Sequence, residues 1–207
     1  MTDIPIDGLP GLEPSPDEDA WDTYLTWALE QLGGNPDNGI TNTQLAELEA
    51  AAGAPMPFEI GLLLVHGVPD GEKWWQWNDD PTATLARWNA QLLDGVRFDV
   101  EHNNLWLDSW GARADDLGER LLVATDAFTA APQLLPLWGH RAVPLAVARD
   151  EEAAEANPVL SVHQTDVIVY GTDLAAWLHR EFDVPLPTWP DTPSRWFPFW
   201  SELGEQG

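Results

Sequence analysis

The sequence predicts an α+β fold, and three observations carry that expectation. Capped amphipathic segments crowd the first half of the chain, a strand-turn-strand pattern fills residues 157–171, and the order is not a strict βαβ alternation. The 157–171 stretch opens on Asn157-Pro158 and closes on Gly171, with β-branched and aromatic residues between. Its polar middle, His163-Gln164-Thr165-Asp166, interrupts an otherwise apolar run, so it is either turn chemistry or a site.

Taken in order, residues 1–16 hold four prolines and several acids and read as a flexible acidic arm. Ser15-Pro16-Asp17-Glu18 is a helix start, followed by Trp21, Tyr24, Leu25, Ala28, Leu29 and Leu32 on one face until Gly33-Gly34. Thr41 and Gln44 stand at capping-box spacing before Leu45, Leu48 and Ala52, and Gly53 ends this second helix. Pro57 introduces a third, apolar on most of its surface from Phe58 to Val65. Trp74-Trp75-Gln76-Trp77 reads as a strand with Trp75 and Trp77 on the core face and Trp74 opposite. Asp79-Asp80-Pro81 starts a helix along Leu85, Trp88 and Leu92 that Gly95 is expected to stop.

Beyond it, residues 96–100 and 105–107 read as strands around the turn His102-Asn103-Asn104. Residues 114–131 read as a helix, residues 134–141 and 143–145 as short strand pieces, and residues 150–155 as a solvated loop or helical turn. Thr172, with Asp173 beside it, caps a last helix through Leu174, Trp177, Leu178 and Phe182. Residues 185–207 interleave Pro187, Pro190, Pro193 and Pro198 with Trp189, Trp196, Phe197, Phe199 and Trp200. That apolar surface is expected to pack on the domain spanning 17–184.

Composition narrows the function. With 35 acidic against 9 basic residues the net charge is -26, a field that repels nucleic acid and anionic membranes and attracts basic partners. A merely soluble surface is the plainer reading of the same charge. The absence of Cys excludes disulfides and thiolate chemistry and suits a reducing cytoplasm. No apolar run approaches the ~20 residues of a spanning helix, so no membrane role is expected. The five His are scattered, and Asp70, Glu72, Asp79 and Asp80 lack the alternating order of a calcium loop. No metal or cofactor is therefore expected.

Four blocks resemble the SUKH superfamily, the domain shared by a fungal cell-wall-synthesis regulator and bacterial immunity proteins. They are residues 40–63 with the Pro55-Met56-Pro57 hinge, Trp106-Leu107 with Trp110-Gly111, residues 131–144, and residues 157–171. The chain departs from the family at Ile60-Gly61 and His66-Gly67, where Tyr and Asn-Gly are common. The resemblance implies one α+β domain with a twisted, largely antiparallel sheet flanked by helices. It makes Pro158, Ser161, His163, Gln164, Asp166, Tyr170 and Gly171 a structural signature. It also implies a non-enzymatic role, that of an immunity protein neutralising a basic toxin of nuclease or deaminase type. The expected contact residues are Asp70, Glu72, Trp74, Asp79, Asp80, Asp99 and Glu101, acids beside an aromatic. Two alternatives stand beside it: a regulatory scaffold in cell-envelope synthesis, and a small hydrolase using His163 and Asp166, for which no nucleophile elbow is present.

Overall fold

The computed structural model describes residues 18–145, 156–187 and 193–205. The arm at 1–16, the Ser15-Pro16 cap, the 150–155 loop and Trp189 lie outside them. Seven α-helices and four strands are found among the described residues. They are α1 (Glu18–Leu32), α2 (Asn42–Ala52), α3 (Phe58–His66), α4 (Pro81–His102), α5 (Leu117–Ala130), β1 (Leu134–Trp138), β2 (Arg141–Pro144), β3 (Val159–His163), β4 (Asp166–Gly171), α6 (Leu174–Phe182) and α7 (Trp200–Glu205).

The helix boundaries follow from local chemistry. Thr41 and Gln44 form a reciprocal capping box at α2, and Gly53 closes that helix in the left-handed region, where a side chain is disfavoured. The Asp80 carboxylate caps α4, with Pro81 in the first turn. At α6 the cap is Asp173 rather than Thr172: its Oδ1 accepts from the Ala176 amide at 2.6 Å.

The strands form one antiparallel sheet in the order β1-β2-β3-β4. Because successive side chains point to opposite faces, the sheet feeds two cores. Leu135, Leu137 and Val143 join α1, α3 and α6 on one side. Leu134, Ala142, Leu160, Val162 and Val167 join α4, α5 and α7 on the other. The result is one α+β domain of three layers, with the antiparallel sheet in the middle.

Four expectations are corrected. The helix α4 does not stop at Gly95 but runs 22 residues to His102, so 96–100 is helical, with Val96 and Val100 in the second core. Gly95 serves close approach instead: a Cβ there would sit 3.2 Å from Gln164 Cα, where α4 crosses the β3-β4 turn. Residues 105–107 form no strand; Leu107 enters the core and a 3-10 turn, Asp108–Trp110, follows. Residues 74–77 do run along the edge of β1, through the Trp75 amide to Leu137 O at 3.1 Å, but only Trp74 forms a ladder bridge, with Trp138. Their facing differs in part: Trp77 is buried in the first core as expected, but Trp74 joins it there, stacked on Phe182, while Trp75 is half-buried.

Candidate functional site

The acids predicted to meet a partner divide between two places. Around the short 3-10 turn Pro36–Asn38, side-chain amides stitch distant loops together. Asp70 accepts from Asn38 Nδ2 at 2.9 Å and Asn35 Nδ2 at 3.1 Å. Those bonds, the one from Asn38 foremost, hold its carboxyl below the usual carboxylate range. Asn78 donates to Asp37 O at 2.9 Å, and Gln44 to Asn78 O at 3.1 Å. This brings Asp37 beside the 70–80 loop. Asp80 is held ionised by the Ala83 amide and then the Thr82 hydroxyl, each at 3.0 Å. With Glu72 and Asp79 exposed nearby in sequence, these groups form an acidic ledge of solvated carboxylates on hydrogen-bonded loops. Asp37 is not legible as a member, because only the long-range side-chain amide bonds of Asn35, Asn38 and Asn78 place it there.

Asp99 and Glu101 do not belong to this ledge. They lie at the far end of α4 from Asp80, and a helix of that length spans about 33 Å. Glu101 is exposed, but Asp99 is buried, accepting from Asn103 Nδ2 and from Thr165 Oγ1 at 2.6 Å each. Trp74 is unavailable as a contact residue, being closed in by Phe182 and Trp177. Both are corrections with one cause: tertiary packing, not local polarity, decides which side of an element faces water.

The signature stretch folds as the β3-β4 hairpin, pairing His163 with Asp166 across a two-residue turn whose first member, Gln164, has a φ of 56°. Pro158 and Gly171 are buried; Gly171 packs so tightly on α6 that a Cβ would lie 2.6 Å from the Trp177 amide nitrogen. The hairpin tip, the end of α4 and Trp106 line a cavity of about 400 Å³ that opens to solvent. Sequence reasoning gave Trp106 a structural part only; the Asn103-Asn104 turn ending the helix carries its indole to the hairpin.

On the neighbouring strands Arg141 is buried, donating from Nε to Glu181 Oε2 at 3.2 Å and from Nη1 to Ser161 Oγ at 2.9 Å. The guanidinium groups of Arg141 and Arg180 lie over the Tyr170 ring, 3.7 and 4.0 Å from its centroid. Ser161 therefore answers to a guanidinium and not to His163, which is not the arrangement that activates a serine nucleophile.

Arg141 Nη1 also bonds His140 Nε2, which requires that nitrogen to be unprotonated. Burial first, then the Arg141 charge, hold the His140 imidazole below its ordinary value of 6.5. The unfolded chain thus takes up a proton near pH 6.5 that the folded chain refuses. The stability from this group is complete above 6.5 and is lost as pH falls through the lower folded value. Urea unfolding between pH 7.5 and 5 is expected to show a falling midpoint, with a shallower fall in His140→Gln, which keeps an acceptor for Arg141. The depressed carboxyls of Asp70 and Asp80 do not confuse this reading, since their effect begins only near their ordinary value of 3.8. Equal slopes in the two proteins would show that His140 is not the titrating group.

Among the described residues no group of three or more His, Asp and Glu could hold a metal ion, and no helix is long and apolar enough to cross a membrane. The chain matches no known protein-family model, curated protein or solved structure.

Proposed function

We propose that this protein is a SUKH-type binding protein that acts in the cytoplasm and neutralises a basic protein toxin by direct, stoichiometric binding. The observation that carries the reading is the ledge of Asp37, Asp70, Glu72, Asp79 and Asp80, where side-chain amides and a helix cap fix loops rich in charge on a chain of net charge -26. Loops already ordered lower the entropic cost of binding, and the long-range field steers a cationic partner before contact. The family's α+β architecture, with an antiparallel sheet between helices, agrees with the fold described above. Occlusion of a nuclease or deaminase by such a surface mimics the anionic substrate that those enzymes attract.

Affinity capture with the full chain from its own cells is expected to recover a protein of net positive charge that harms cells producing it alone. Raising ionic strength tenfold, from about 0.02 M, is expected to slow association by an order of magnitude or more, as the Debye length contracts from roughly 20 to 7 Å. Reversing Asp37, Glu72 and Asp79 to Lys is expected to slow it comparably while leaving the unfolding midpoint unchanged. An association rate indifferent to both changes would overturn the electrostatic reading. Recovery of a cell-envelope signalling protein in place of a toxin would favour the scaffold alternative.

A further inference from the structure

The cavity between the end of α4 and the β3-β4 hairpin stands apart from the acidic ledge, and its walls have a definite chemistry. Asp99, at 5% exposure, carries a carboxylate whose hydrogen bonds come from two neutral donors, Thr165 and Asn103. Among the described residues no Lys, Arg or His forms an ion pair with it or with Asp166 on the opposite wall. A buried carboxylate without a counter-charge is costly, and the cost falls when a cation enters. The last turn of α4 ends at the same cavity, so the negative end of the helix dipole adds to the field of the two carboxylates.

The third wall is an indole. Trp106 is half-buried, locked edge-to-face against Trp110 with ring centroids 5.2 Å apart, and its Nε1 donates to Gly111 O at 2.8 Å. Its ring is therefore positioned in advance, offering a surface on which a flat cation can stack. At the rim, Asn104 Oδ1 already accepts from Arg113 Nη2 at 3.3 Å. One guanidinium is thus held by a neutral acceptor while the carboxylates go without. A volume of about 400 Å³ admits a side chain with its hydration and lies at the small end of ligand sites, roughly 300–1,000 Å³.

From this convergence we infer that the cavity lined by Asp99, Asn103, Asn104, Trp106, His163 and Asp166 is a receptor for a guanidinium on an alkyl stem, supplied by an arginine side chain of the partner protein. The carboxylates give the fork of donors two anionic acceptors, the amide oxygens take the remaining N–H groups, and the indole stacks on the plane. An ammonium satisfies the charge but not the plane. The inference rests on the binding role proposed above for the carrier of the group, and it places a second contact about 30 Å along α4 from the ledge.

The test uses the full chain and three probes: a capped Gly-Gly-Arg-Gly-Gly peptide, the same peptide with citrulline in place of arginine, and agmatine. Titrations followed by ¹H-¹⁵N NMR are expected to move the Trp106 indole and the amides of 163–166. The citrulline peptide should bind at least tenfold more weakly than the arginine peptide. Asp166→Asn, at an exposed position, and Asp99→Asn should each weaken the arginine peptide severalfold, the first without change in the unfolding midpoint. Tighter binding of the peptide than of agmatine assigns the group to a protein, whereas the reverse assigns the same site to a free small cation. Equal binding of the arginine and citrulline peptides, or shifts confined to residues near 37, 70 and 79, overturns the site. A basic partner still captured in that case leaves the proposed function standing; arginine-peptide binding without any basic partner does the opposite.

Discussion

Deleting residues 193–207 is expected to yield a chain that no longer unfolds in a single cooperative transition. Phe197, Phe199, Trp200 and Leu203 from this segment are each at most 4% exposed and fill the second core beneath the sheet. Full burial of one such side chain contributes about 1.5–3 kcal/mol, so four together contribute roughly 6–12 kcal/mol. A domain has about 5–15 kcal/mol in all, and the loss is of the same size. The segment is also tied by polar contacts. Trp200 Nε1 donates to Pro132 O at 2.7 Å, Ser109 bonds Glu202, and a parallel bridge joins Ala156 to Ser194 ahead of β3. Trp200→Ala alone is expected to cost about 3–5 kcal/mol, the usual range for emptying a buried aromatic site. Urea unfolding followed by circular dichroism and tryptophan fluorescence measures both. A truncated chain with the full-length midpoint would show that the two-core description is wrong.

Such a tail is legible in sequence because its apolar surface demands cover, but the surface it covers is not. The same division runs through the whole chain. Caps and turns write their requirements into adjacent residues: Thr41 with Gln44, Asp80 with Pro81, Gly53, and the hairpin turn before Asp166 all stand where local chemistry places them. Gly95 misleads for a physical reason. A glycine that ends a helix and a glycine that lets another backbone approach are the same residue, and only the crossing of α4 over Gln164 tells them apart. Leu85, Trp88, Leu92, Val96 and Val100 keep helical spacing straight through it, and that longer pattern decides against a break.

The candidate sites divide in the same way. Charge density announces the ledge at 70–80, because acids need no partner to be counted, whereas Asp37 enters only through fold-dependent amides. The cavity at the hairpin tip joins residues 99–106 with 163–166, two stretches with no shared local pattern. The polar middle of the signature stretch is turn chemistry and cavity wall at once: Thr165 anchors the turn to Asp99, and His163 and Asp166 line the space beside it.

The interior charge pair makes the second large prediction. Arg141 and Glu181 keep only 9% and 12% of their side-chain surface, and the pair joins β2 to α6 across the face of the sheet. Arg141→Met is expected to cost about 3–5 kcal/mol, mostly because Glu181 is left with an uncompensated buried carboxylate. Arg141→Met with Glu181→Leu removes both charges at similar volume and is expected to recover most of that loss. Arg141→Lys keeps the charge but forfeits the fork that reaches Glu181, Ser161 and His140 together, and it weakens the stack on Tyr170, so it should fall between the two. Urea midpoints at pH 7.5, where His140 is neutral in folded and unfolded chains alike, separate this effect from the histidine linkage. A single Arg141→Met loss below about 1 kcal/mol would mean that water reaches the pair and screens it, as at exposed ion pairs. A double variant no better than the single would instead place the energy in the Tyr170 stack and the Ser161 bond, making Arg141 a packing residue of the sheet rather than half of an ion pair.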